Sequence, residues 1–237
     1  VPEYDINMLA NCPARTYSVG TILVKRRAMP ETVYLLMNGL IEILDSETDT
    51  QNILTAGSMI AERNALYSIA SSRTYRAGSF IRVLEIPAEM YRSFIRRNDL
   101  SGPIREHLDR KHFLEGTYLL GDRIAGVTLN AIAQELSEHT AVAKEQIVPA
   151  HALVLIAEGR VAVYCENRFV GYAGVGEAVG EPQILGESTY TLRYVADTDL
   201  RYYTVSCDTL QRIPIVSWKL LEQLNRRVQS CKAIFQP

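Results

Sequence analysis

A chain of 237 residues, 47% of them hydrophobic, has the length for one large or two small domains and the apolar content for ordinary packed cores. A formal charge of −2 gives no electrostatic reason to expect a nucleic-acid binder, and no apolar run approaches the roughly 18 residues of a membrane span. Cys12, Cys165, Cys207 and Cys231 are scattered without a CxxC pair, which argues against zinc and against a disulfide framework and fits a reducing, cytoplasmic compartment.

No signal peptide is visible, and a start at Val1 rather than Met leads us to expect part of a longer protein. From the N-terminus, residues 1–12 read as the end of a helix stopped by Pro13. Ile22-Leu23-Val24 reads as a short strand after a turn at Gly20. Two apolar runs, Val33 to Met37 and Leu40 to Leu44, flank Asn38-Gly39, and that pattern predicts a β-hairpin. Residues 45–52 are polar and read as a loop, and Phe80 to Ile86 reads as a further strand closed by Pro87.

Between those strands lies a stretch that recurs. Gly57 precedes Glu62 by five residues and Ala77 follows that Glu by fifteen; Gly176, Glu181 and Ala196 repeat both spacings without a gap. Each copy reads as strand, Gly turn, one short helical turn, then strand. Glycine permits the positive φ and close backbone approach that a phosphate cradle needs. A helical start behind it leaves backbone N–H groups free for an anion, and a carboxylate suits a ribose hydroxyl. For one copy alone, a tight turn with a surface glutamate is the better reading. The repeat at fixed spacing favours a ligand cassette instead.

From Ala88 the period becomes helical, through Met90, Phe94, Ile95, Ile104, Leu108 and Phe113, with a break predicted at Ser101-Gly102-Pro103. The basic face with Arg92, Arg96, Arg97, Arg105, Arg110 and Lys111 reads as solvated surface, as do His107 and His112. The helical pattern continues from Leu119 to Leu136. The second half then replays the first: Gln146 to Val148, Ala152 to Gly159, Arg160 to Tyr164, the second cassette, and Leu200 to Val205. A final helix, about Ile215 to Lys232, carries Trp218, Leu221, Leu224 and Val228 as a stripe that either covers the second sheet structure or pairs subunits.

Both halves resemble the cyclic nucleotide-binding domain family, shared by catabolite activator proteins, regulatory subunits of cAMP-dependent kinase and some ion channels. The resemblance rests on the strand–Asn-Gly–strand pattern, the Gly turn, the cassette Glu and the closing helices, and covers nearly the whole chain. It implies a mainly β fold with flanking helices: two β-roll (jelly-roll) domains joined by a helical segment, residues 1–112 and 113–237. It also implies a small anionic ligand of the cyclic nucleotide class, a homo-oligomer, and Gly57, Ala61, Glu62, Ser71, Arg73, Gly180, Glu181 and Tyr190 as ligand-binding positions.

The chain departs from the family pattern at its phosphate-binding positions. Family cassettes open on Gly-Glu and place an Arg about nine residues after the Glu to neutralise the phosphate. Here the first copy has Ala61-Glu62 with Ser71 at the Arg position and Arg73 two residues on; the second keeps Gly180-Glu181 but has Tyr190 there. Loss of the Arg removes a charge-assisted hydrogen bond worth about 1.5–3 kcal/mol. The expectation is that an anion held by either half is held by the first, and that Tyr190 fills the second pocket. Two classes of function follow: a regulatory ligand-sensing module, or a degenerate non-binding tandem used for dimerisation or as an interaction scaffold. No nucleophile beside a base, paired carboxylates or metal-ligand cluster suggests an enzyme, and one helix after Ile213 leaves no room for a helix-turn-helix, so no nucleic acid is expected to bind this chain alone.

Overall fold

The computed structural model describes residues 2–44, 51–121, 124, 126–185 and 191–235. The chain divides into two compact units, residues 1–111 with 122–130, and residues 112–121 with 131–237. The fold is mainly β with flanking helices, as the jelly-roll reading expects.

The first unit begins with α1 (Glu3–Ala10), then β1 (Ala14–Tyr17), β2 (Ile22–Val24), β3 (Thr32–Asn38), β4 (Ile41–Leu44), β5 (Gln51–Leu54) and β6 (Met59–Ile60). A short helix α2 (Glu62–Tyr67) leads to β7 (Thr74–Ala77) and β8 (Ile81–Pro87), followed by α3 (Ala88–Arg97), α4 (Ser101–Glu115) and the start of α5 (Gly126–Glu135). One sheet has the order β1-β8-β3-β6 and the other β2-β7-β4-β5, all antiparallel. Alternation decides what each face meets. Leu36 on β3 and Ile81 and Val83 on β8 point into the roll with Ile41, Ile43 and Ile60, whereas Val33 and Ile86 point the other way against Ala65, Tyr91 and Ile95 of the helices. In the first sheet β3 and β8 therefore carry buried residues on both faces, whereas β1 is largely exposed. The second presents Glu42 and Arg76 on its outer face, paired in register and joined by a salt bridge of 2.6 Å.

The second unit repeats the plan with β9 (Ser137–Ala141), β10 (Gln146–Ile147), β11 (Ala152–Glu158), β12 (Val161–Cys165), β13 (Arg168–Ala173), β14 (Ala178–Val179), α6 (Glu181–Leu185), β15 (Leu192–Ala196), β16 (Leu200–Ser206), α7 (Cys207–Gln211) and α8 (Pro214–Phe235). Its sheets run β14-β11-β16-β9 and β10-β15-β12-β13. The apolar run Leu153 to Ala157 is buried throughout, because one face of β11 lines the roll and α6 packs on the strand.

The hairpin expected at Asn38-Gly39 is a corner instead. β3 pairs with β8 and β6, while β4 pairs with β7 and β5, so the two runs lie in different sheets. Both edges of β3 are already occupied and the chain must leave its sheet. Gly39 makes that possible at φ +93°, where an added Cβ would lie 2.5 Å from the Phe80 carbonyl oxygen. Gly159, at φ +83° and equally close to the Asp199 carbonyl, makes the same exit between β11 and β12. The helix break also differs from expectation: it falls at residues 98–100, and Pro103 sits in the first turn of α4. Proline is tolerated there because first-turn N–H groups have no intrahelical partner. The helical pattern expected from Leu119 is interrupted by turns at residues 117–120, and the helix itself starts at Gly126.

Candidate functional site: the two Gly–Glu cassettes

Each cassette is clipped to the roll by the same pair of backbone hydrogen bonds. Gly57 N–H donates to the Leu36 carbonyl at 2.8 Å and Leu36 N–H donates to Ser58 at 2.9 Å; Gly176 N–H donates to Ile156 at 2.9 Å and Ile156 N–H donates to Glu177 at 3.0 Å. Both glycines have positive φ, +87° and +82°, which these turns require. The local spacing seen in the sequence thus corresponds to one repeated piece of backbone.

In the first cassette Ala61 follows β6 in the left-handed region, φ +66° and ψ +11°, and α2 begins at the next residue. An L-residue there is strained by about 1–2 kcal/mol. Ala61 is nonetheless buried within the roll core. Glu62 is also buried, and its Oε1 accepts a hydrogen bond of 2.8 Å from Lys111 Nζ, itself buried, on α4. The carboxylate assigned to a ligand hydroxyl is therefore held by a helix lysine. The expected solvated basic face does not hold at Lys111, which is buried, and helical periodicity alone carries no signal for that burial. His107, one turn earlier on α4, is half-buried, and burial lowers its pKa below the usual imidazole value.

Ser71 is buried and pinned by backbone hydrogen bonds, donating N–H to Ala28 at 2.8 Å and accepting from Arg27 at 2.7 Å. Its hydroxyl donates to the Arg73 carbonyl at 2.7 Å. Ser71 and Arg73 lie in the bend before β7 and not within a strand, so strand alternation does not decide where the Arg73 side chain goes. Arg76 lies in β7 and is turned to the outer face by its pairing with Glu42. At the far end of α2, the Arg92 guanidinium donates to the Ala65 carbonyl at 3.1 Å, satisfying an end-of-helix acceptor.

The second cassette keeps the glycine, for a visible reason. Gly180 has φ +102°, and an added Cβ would lie 2.8 Å from Pro149 Cβ and 3.1 Å from the Ala152 carbonyl. Glu181 is fully buried and pairs at 2.5 Å with the Arg227 guanidinium of α8. Arg227 also donates to the Ala178 carbonyl at 2.7 Å, and Gln223 donates to the same oxygen at 2.8 Å. Burial raises the Glu181 pKa, opposed by the Arg227 charge and the nearby backbone N–H groups of Glu181 and Gly180.

Tyr190 lies outside the described residues. Tyr194 occupies the interior of the second roll: it is 2% exposed and packs among Val163, Val179 and Ala196. Its hydroxyl approaches the Gly180 amide and the Arg227 guanidinium, yet makes no hydrogen bond of normal geometry, and burial pushes its pKa up. Arg193 pairs in register with Tyr164, and its guanidinium lies 4.6 Å from the centre of that ring. The stripe on α8 divides: Leu224 is buried, whereas Trp218 is 70% exposed. Among the described residues, no group of three or more His, Cys, Asp or Glu could hold a metal ion, and no helix is long and apolar enough to cross a membrane.

A roll closed by helices, with a Gly–Glu cassette in each unit, defines a cyclic nucleotide-binding fold. Residues 14–98 match the family described as cyclic nucleotide-binding domain. Among solved structures it is similar to cAMP-bound PfPKA-R (141–441), at 14% identity and a TM-score of 0.52, covering 98% of this chain and 85% of that one. It is also similar to the regulatory domain of Toxoplasma gondii PKA with cAMP, at 14% identity and TM-score 0.48, covering 95% and 90% of the two chains. A third is the regulatory subunit of a cAMP-independent protein kinase A from Trypanosoma cruzi bound to guanosine, at 17% identity and TM-score 0.45, covering 97% and 86%. The likeness to PfPKA-R, at a TM-score of 0.52, bears on the fold alone. No curated protein matches the sequence significantly.

Proposed function

We propose that the chain is a cytoplasmic, non-enzymatic regulatory module whose first unit senses a cyclic nucleotide-class ligand and reports it through α4. The observation that carries this reading is the buried Glu62–Lys111 pair. Glu62 begins the cassette helix, and Lys111 belongs to a helix outside the cassette. A ribose hydroxyl donating to Glu62 competes with the Lys111 ammonium for the same oxygen. Binding then exchanges an intramolecular ion pair for a ligand contact and loosens α4, which is a ligand shifting a two-state equilibrium by differential affinity. Arg73 and the backbone around Gly57, Ala61, Glu62 and Ser71 hold the anionic part of the ligand.

For the second unit the degenerate reading is the better supported. Tyr194 fills the roll, and Arg227 holds the carboxylate of Glu181 behind Gly180. That unit serves as a scaffold, and as the self-pairing surface of a homo-oligomer. Isothermal titration with cAMP, cGMP and a cyclic dinucleotide tests the division of roles, with Arg73→Ala and Glu62→Ala as controls. One site, lost in both variants, is expected. Binding that survives both substitutions, or none of the three ligands binding, contradicts the sensing role.

A further inference from the structure

On the second unit five side chains form one row: Arg193, Tyr164, Phe169, Tyr172 and Arg160. The Arg193 guanidinium lies 4.6 Å from the Tyr164 ring centre, and the Arg160 guanidinium 4.5 Å from that of Tyr172. Between them the ring centres are 5.9 Å apart from Tyr164 to Phe169 and 4.9 Å from Phe169 to Tyr172. Strict alternation would send residues 169 and 172 to opposite faces of β13. A register shift prevents this: Phe169 pairs with Tyr164, Gly171 with Val163 and Tyr172 with Ala162, which leaves Val170 as the extra residue of a bulge. Val161 and Val163, the alternate residues of β12, lie in the roll core, so the row occupies the outer face of the sheet. Phe169 and Tyr172 are exposed there. The corresponding strands of the first unit, β4 and β5, pair without a shift, and that sheet carries the Glu42–Arg76 ion pair outside.

We propose that this row docks an acidic peptide: an extended segment of another protein with a carboxylate on each side of an apolar residue. A guanidinium ends the row on both sides, and a guanidinium stacked over a ring keeps its in-plane N–H donors for a carboxylate. The carboxylates bordering the row are already engaged. Asp197 meets Arg160 at Nε, and Glu166 Oε1 accepts from the Thr191 amide. Among the described residues, Arg193 Nε is buried without an acceptor. Phe169, between the two cations, meets the apolar residue; aromatic rings and Arg are the side chains enriched at protein interfaces.

Charge argues against a second copy as the occupant. A two-fold contact sets the row against itself and brings guanidinium ends of the same sign together. Ring geometry argues against a single-stranded nucleic acid. The rings meet edge-on, at 70° and 60°, and guanidinium groups lie over Tyr164 and Tyr172, where bases would need free ring faces. This inference rests on the reading of the second unit as a scaffold and is independent of whether the first unit binds a nucleotide.

A library of random peptides displayed on phage should be selected on the full chain, and a synthetic peptide of the enriched sequence titrated by fluorescence anisotropy. Enriched sequences are expected to place Asp or Glu on both sides of an apolar residue. Affinity for the peptide should fall with added salt, and by about tenfold or more in both Phe169→Ser and Arg193→Gln. Thermal melts confirm that each variant is folded. No enriched sequence, enriched sequences without acidic residues, or binding indifferent to both substitutions would overturn the proposal. Sedimentation showing self-association that is lost in Phe169→Ser would also overturn it, assigning the row to a second copy and leaving the scaffold reading in place. Tighter binding of an oligothymidine than of the peptide would overturn it in favour of a nucleic acid.

Discussion

Glu62 and Lys111, 49 residues apart, form a buried ion pair of 2.8 Å between the first residue of α2 and the body of α4. The second unit pairs Glu181 with Arg227 of α8 in the same sense. Each cassette glutamate is thus held by a cation from a helix that follows its roll. The two pairs differ in what surrounds them: the second lies behind a filled interior, and the first behind a strained alanine.

Replacing Lys111 by Met leaves the Glu62 carboxylate buried without its cation, and breaking a buried pair in this way costs about 3–5 kcal/mol. Both side chains retain about a tenth of their exposure, so the lower end is expected. Glu62→Gln together with Lys111→Met removes both charges and should recover most of the loss. Urea unfolding of the two variants and the wild type checks this; equal losses in the single and double variants would show that the charge pair is not the cause.

Exchanging the residues before the two glutamates should give asymmetric results. Ala61→Gly relieves strain of about 1–2 kcal/mol. It also gives up a buried methyl worth about 0.8 kcal/mol and adds chain entropy of about 0.5–1 kcal/mol, so stability should change little. The same change removes the Cβ that crowds the cassette and should tighten cAMP binding several-fold. Gly180→Ala forces a Cβ to 2.8 Å from Pro149 at φ +102° and should destabilise strongly. Thermal melts of the two variants, with and without cAMP, measure both effects.

The sequence showed the repeat because glycine spacing and strand alternation are local properties. Gly57, Gly176 and Gly180 need positive φ wherever the chain turns in this way, and their pattern is readable without partners. Sheet membership was not readable at Asn38-Gly39, because a corner and a hairpin demand the same residues and differ only in which distant strands occupy the edges of β3. Lys111 and Arg227 were missed for a related reason. A cation on a helix looks solvated until the fold shows which carboxylate it meets. Tyr194 was hidden within an ordinary strand, four residues past the position expected to fill the pocket.

Tyr194→Phe removes a buried hydroxyl that lacks a hydrogen bond of normal geometry. Deleting such a group should leave stability unchanged or raise it by about 1 kcal/mol. Tyr194→Ala instead opens a cavity in the second roll and should cost about 3–5 kcal/mol. Guanidinium unfolding of the two variants separates the roles of ring and hydroxyl; a large loss in the Phe variant would show that the hydroxyl is bonded after all.

His107 contributes a pH dependence of definite sign. Its folded pKa is lowered from 6.5, chiefly by burial, so the unfolded chain binds the proton more readily. The contribution is complete above pH 6.5 and declines as the pH falls through the window down to the folded value. His107→Gln should flatten this slope between pH 7 and about 5 in parallel urea titrations. An identical slope in the variant would place the dependence elsewhere.

The most direct test of the central claim is calorimetric titration of cAMP and cGMP into wild type, Lys111→Met and Glu62→Ala, with hydrogen exchange followed across α4. If Lys111 and a ligand compete for Glu62, Lys111→Met binds more tightly than wild type and Glu62→Ala does not bind. In the wild type, bound ligand should also speed exchange around Lys111. Heats that are absent for both nucleotides, or indifferent to Glu62, would contradict the account.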